Sequence, residues 1–118
     1  MGAENFVAET TAATAREAFN ALREEAQDEY GSRGYTGTIA EKDAFIELTV
    51  PAGVTAGDFI EWAWATIDPY GEVTPEEIPA EHRALAKRAG RILDDKYGPA
   101  LCVKVAEGRW RFEGYAAT

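Results

Sequence analysis

Two helix-periodic segments, each ending in Asp-x-Tyr-Gly and each followed by β-prone runs, constrain this chain more than any other feature. The first opens at Thr14, which makes a capping box with Glu17: the hydroxyl accepts from the N3 amide while the glutamate reaches back. Ala15, Ala18, Phe19, Leu22, Ala26 and Tyr30 then fall on one apolar stripe, and Gly31 stops the helix where a left-handed cap belongs. The second starts at Thr74-Pro75, restarts at Pro79 and runs to about Tyr97. It carries Leu85, Ala86, Ala89, Ile92, Leu93 and Tyr97 on its apolar face, and Gly98-Pro99 closes it. Each stripe needs a surface to cover, and the β-prone runs supply one.

Those runs make one strand and two hairpins. Residues 4–10 read as a first strand. Thr38–Ala40 and Ala44–Val50, split by a turn at Glu41-Lys42-Asp43, read as a hairpin with Ile46, Leu48 and Val50 toward the core and Phe45 opposite. Ala100–Ala106 and Arg109–Ala116, split by Glu107-Gly108, read as a second hairpin, with Trp110 and Phe112 sharing a face. A shorter helix over 56–67 follows a cap at Thr55 or Asp58. The expectation is one α+β domain over 1–118, in the order β-α-β-β-α-α-β-β. Its antiparallel sheet would have about five strands, with the two long helices on one face. The two halves also echo one another: Asp28–Gly31 and Asp95–Gly98 each lead on to Ala-Glu and an aromatic strand. A duplicated α-β-β unit (14–50 and 79–116, with 51–78 inserted) and coincidence both remain open.

Composition sets limits on function. With 118 residues, 46% apolar and 28% charged, the chain can bury a core and lies outside the disordered regime. No segment is long and apolar enough to span a bilayer, and no basic region precedes an apolar stretch at the start. Together with the single Cys102, read as a small core residue, this points to a cytoplasmic protein. Twelve basic against 21 acidic residues leave −9, which argues against direct binding to nucleic acid or anionic membranes. The charge is uneven: 51–81 holds acids and no base, whereas 82–98 carries Arg83, Lys87, Arg88, Arg91 and Lys96.

Chemistry-bearing motifs are missing. The only histidine, His82, sits among charged residues at a helix start and reads as a helix-end side chain. No nucleophile elbow, phosphate loop or metal-ligand spacing occurs, so neither catalysis nor a cofactor is expected. Two stretches stand out as candidate contact surfaces. The Gly31–Lys42 passage holds Arg33, Tyr35, Thr36, Thr38 and Lys42 on glycines that permit close backbone approach. Trp62 and Trp64 lie about 160° apart around their helix, so both cannot belong to one narrow stripe. Either one is exposed as an interaction residue, or both are buried against a second layer.

The nonapeptide Gly34-Tyr-Thr-Gly-Thr-Ile-Ala-Glu-Lys42, with Ala18-Phe19 and the ending Phe112-Glu-Gly-Tyr115, resembles a group of small bacteriophage-encoded proteins, chiefly of actinobacterial phages. No activity is attached to that group, so the resemblance implies a setting only: an accessory protein in the bacterial host. In that setting three functions compete. One is binding to a host or phage protein, modulating or inhibiting it or a defence system. Another is binding of a small ligand or nucleotide at Gly31–Lys42. The third is a homo-oligomeric accessory role, in which acidic 51–81 meets basic 82–98 of another copy.

Overall fold

The computed structural model describes residues 2–31, 34–68 and 70–118. Among the described residues there are four strands and three α-helices: β1 (Ala3–Thr11), α1 (Ala15–Tyr30), β2 (Phe45–Glu47), α2 (Ala56–Ala65), α3 (Arg83–Asp94), β3 (Ala100–Ala106) and β4 (Arg109–Ala117). They form one sheet in the order β1-β4-β3-β2, antiparallel at β1–β4 and β3–β4 but parallel at β2–β3. The α+β expectation holds, whereas a fully antiparallel sheet of five strands does not. No helix among the described residues is long and apolar enough to cross a membrane.

The expected hairpin over 38–50 is absent, for a local reason. Thr38 Oγ accepts the Ala40 N–H at 3.2 Å, and the Lys42 N–H reaches Ile39 O at 2.9 Å. Ile39–Glu41 therefore closes into a 3-10 turn rather than extending. Only Phe45–Glu47 remains as strand, and it pairs with the start of β3 because β4 already occupies the other side of β3. The parallel pairing needs a long crossover, which α2 and α3 supply.

The helices do not share a face. Phe6, Ala18, Phe19, Leu22, Ala100, Cys102, Phe112 and Ala116 form a core between α1 and one side of the sheet. Leu48, Phe59, Ile60, Ala63, Ala89, Leu93, Leu101 and Val103 form a second core between α2/α3 and the other side. The strand register requires this split: Leu101 and Val103 alternate with Ala100 and Cys102, so β3 is apolar on both faces and must be covered twice. β2 divides the same way, with Ile46 toward α2/α3 and Phe45 in an aromatic triad, 5.0 Å from Phe19 and 5.5 Å from Phe112. The full burial of Phe19 and of Phe112 contributes about 1.5–3 kcal/mol each.

Where α2 crosses α3, a Cβ on Gly90 would come within 2.9 Å of the Ala63 carbonyl oxygen, so glycine sets that approach. At the far ends the stripes overrun the sheet. Tyr30 and Tyr97, both expected in the core, are 57% and 70% exposed: Tyr30 is the last residue of α1, and α3 stops at Asp94 rather than running on to Tyr97, which lies in the turn that follows.

Candidate functional site

The residues singled out in Gly31–Lys42 turn inward. Glu41 accepts the backbone N–H groups of Tyr35 at 2.8 Å and Thr36 at 3.1 Å, together with the Thr36 hydroxyl at 2.7 Å. Thr36 Oγ also lies 2.8 Å from Thr38 Oγ. Burial alone would raise the Glu41 carboxyl, but these hydrogen bonds outweigh it and hold the group below the ordinary 4.5. The amides that could have met an anionic ligand are thus taken by the protein's own carboxylate.

Lys42 is further from a binding role. It is fully buried, and its ammonium donates to the carbonyls of Asp95 at 3.0 Å, Gly98 at 3.1 Å and Lys96 at 3.4 Å. It closes the C-terminal end of α3, where unpaired carbonyls and the helix dipole both favour a cation. Among the described residues of this passage Tyr35 alone keeps an exposed side chain, on left-handed backbone at φ 59°. Arg33 lies outside the described residues.

The tryptophans are likewise engaged, and both are only part-buried. Trp62 stacks on His82, ring centroids 5.7 Å apart and 16° from parallel. Trp64 donates its indole N–H to Glu113 at 2.9 Å and meets Tyr115 edge-on at 5.2 Å. Each packs onto a different neighbour, as residues about 160° apart on one helix must.

Glu113 was not singled out from sequence. It is 6% exposed, stands opposite Val7 on β1, and is pushed above the ordinary 4.5 by burial, with the Trp64 N–H and Arg111 opposing. Beside it Arg111 binds Glu9 at 2.8 Å, and Arg109 binds the other Glu9 oxygen. Those two arginines hold the Glu9 carboxyl below its usual range, against a smaller effect of burial. The signal was the alternation in Arg109-Trp-Arg-Phe-Glu113: Trp110 and Phe112 mark one face, and the intervening charges mark the other. This face of β1 and β4 is where the α2/α3 layer stops.

The third place is the outer edge of β1. The Ala12 N–H donates to Gly108 O and the Thr118 N–H to Gly2 O, so even-numbered β1 residues bond toward β4. By the antiparallel alternation, Asn5, Val7 and Glu9 aim their N–H and C=O groups outward. Among the described residues no strand pairs with that edge. Alongside it runs a groove of about 350 Å³ between β1 and the second half of α1. Phe6, Leu22, Ala26 and Ile39 give it an apolar floor, and Glu25 and Glu29 stand on its rim.

No family model, curated protein or solved structure matches this chain. Among the described residues no group of three His, Cys, Asp or Glu is placed to hold a metal ion. Cys102 is buried, its thiol pushed up to about 12, chiefly by burial and then by Glu47. A thiol held that high is a poor nucleophile near neutrality. What the surface does offer is unpaired backbone beside a shaped apolar groove.

Proposed function

We propose that this chain is a protein-binding module that takes up an extended segment of its partner as an added strand on β1. The observation that carries the reading is a nine-residue edge strand left open above a groove. Edge strands are normally blunted by shortness, lysine, proline or a bulge. The opposite edge, β2, is three residues long. β1 has no lysine or proline, and its register against β4 runs unbroken from Ala3 to Thr11. Its one central acid, Glu9, is drawn onto the sheet face by Arg109 and Arg111. Strand addition uses such an edge for affinity and the flanking groove for side-chain selection.

The phage resemblance supplies a setting for this module: an accessory protein that captures a host or phage protein and modulates it.

The test is hydrogen exchange on the chain bound to a partner recovered from host lysate, with Val7→Pro as the variant. The Val7 N–H points outward, so proline there leaves the β1–β4 ladder intact. Expected are slowed exchange at Asn5, Val7 and Glu9 in the complex and about tenfold weaker binding by Val7→Pro, from the loss of roughly 1–1.5 kcal/mol. Protection confined to α2 and α3, with Val7→Pro binding normally, refutes the reading.

A further inference from the structure

We infer that the segment accepted at β1 is cationic, with lysine or arginine at alternate positions and a small or β-branched residue between them; this rests on strand addition at the same edge. The groove wall is the second half of α1: Glu25 and Glu29 line it, Glu24 and Asp28 stand beside them on the helix, and all four are exposed. Among the described residues none of the four has an ion-pair partner. The nearest base in sequence, Arg23, instead points a guanidinium nitrogen at the Ala40 carbonyl.

The arrangement costs the isolated protein stability. Glu24/Asp28 and Glu25/Glu29 are like charges one turn apart, which repel. They also sit toward the C-terminal end of α1, where the helix dipole disfavours anions. A cation delivered along the groove relieves both.

The spacing suits an added strand. Successive residues on the same side of a strand are about 6.6 Å apart, and Glu25 and Glu29 are separated by about 6 Å of helix rise. Two alternate basic side chains can therefore lay their alkyl stems over Leu22 and Ala26 and bring their charged ends to the two glutamates. The residue between them faces the other side of the sheet beside Val7, which is 61% exposed and apolar. A second copy of this chain fits less well, because its own β1 offers Glu4 on the face of the acidic rim and no lysine or arginine to meet it.

The experiment titrates the whole chain with an end-capped Lys-Val-Lys-Val-Lys peptide and with Glu-Val-Glu-Val-Glu, by calorimetry and amide exchange. The wild type, Glu25→Gln/Glu29→Gln and Val7→Pro are compared. Expected are saturable binding of the lysine peptide, protection of the Val7 and Glu9 amides, and at least tenfold weakening in each variant. Because neither variant touches a buried side chain, loss of binding does not stem from misfolding. If Val7→Pro abolishes binding while the glutamine variant or the glutamate peptide binds as well as the reference, strand addition stands and the cationic preference is overturned. If only the glutamines matter, the peptide lies on α1 alone and both readings fall. No saturation with the lysine peptide in the millimolar range overturns the inference, as does concentration-dependent protection of β1 in the protein by itself.

Discussion

Lys42→Met separates what a buried ammonium does from what its stem does. Methionine keeps nearly the same length and fills the same apolar channel, so little packing is lost. What disappears is the donor to three carbonyls, two of them at good distance, 3.0 Å at Asp95 and 3.1 Å at Gly98. Two charge-assisted bonds are worth roughly 3–6 kcal/mol gross. Against that stands the cost of desolvating the ammonium, which pulls its pKa below the ordinary 10.5 despite the opposing charge of Asp95. Removing that cost returns part of the loss, leaving a net destabilisation of about 2–3 kcal/mol. At this chain length that is a fall in Tm of roughly 8–12 °C. The pH response adds a second readout. With the folded pKa depressed, the unfolded chain binds the proton more tightly, so this group makes stability rise with pH between the lowered value and 10.5. The variant should lose that rise and keep only the opposite trend from the Cys102 thiol, raised to about 12, which makes stability fall with pH over part of the same range. Calorimetric melts of both proteins across the alkaline range decide it. A Lys42→Met protein as stable as the parent near neutrality refutes the assignment of Lys42 as the cap of α3.

Glu113→Gln should act in the opposite sense. A carboxyl raised above 4.5 in the fold makes stability fall as pH climbs through that window, so the glutamine variant should be at least as stable at pH 7, with the gap closing near pH 4; a variant destabilised at pH 7 counts against it. Gly90→Ala should destabilise by about 1–2 kcal/mol in chemical denaturation, since crowding against the Ala63 carbonyl exceeds the ~1 kcal/mol gain in helix propensity; a stabilised variant would mean that α2 shifts freely. Glu41→Gln should cost about 1–2 kcal/mol and speed exchange at the Tyr35 and Thr36 amides, because a neutral amide oxygen accepts less strongly than a carboxylate.

Where a local signal coincides with a tertiary need, the sequence was readable. Thr14 does accept the Glu17 N–H, at 3.1 Å, and α1 stops at Gly31. The β3–β4 hairpin turns at Glu107-Gly108 as its punctuation implied. Reading failed where distant groups decide. Thr38-Ile39-Ala40 is β-prone, yet it coils because Thr38 caps it and the end of α3 draws Lys42 inward. Covering the sheet on both sides was legible in principle from Ala-Leu-Cys-Val at 100–103, an unbroken apolar run where a one-sided strand would alternate. Of the proposed contact residues, Lys42, Thr36 and Thr38 proved to be internal supports. The free edge could not be seen at all, because nothing in Ala3–Thr11 states which strand will lie beside it.

The pairing of β1 with β4 also has a consequence for how the molecule assembles. It joins segments roughly a hundred residues apart in the chain, the kind of closure that is entropically late and slow. α1, the α2–α3 pair and the β3–β4 hairpin are all built from nearer contacts and can form first. Until β4 has been synthesised, β1 has two vacant sides rather than one, and the nascent chain carries the strand proposed to take up a partner unsheathed. A cationic segment already present at that stage would compete with β4 for the same backbone. Encounter during synthesis and encounter after folding could therefore yield different products.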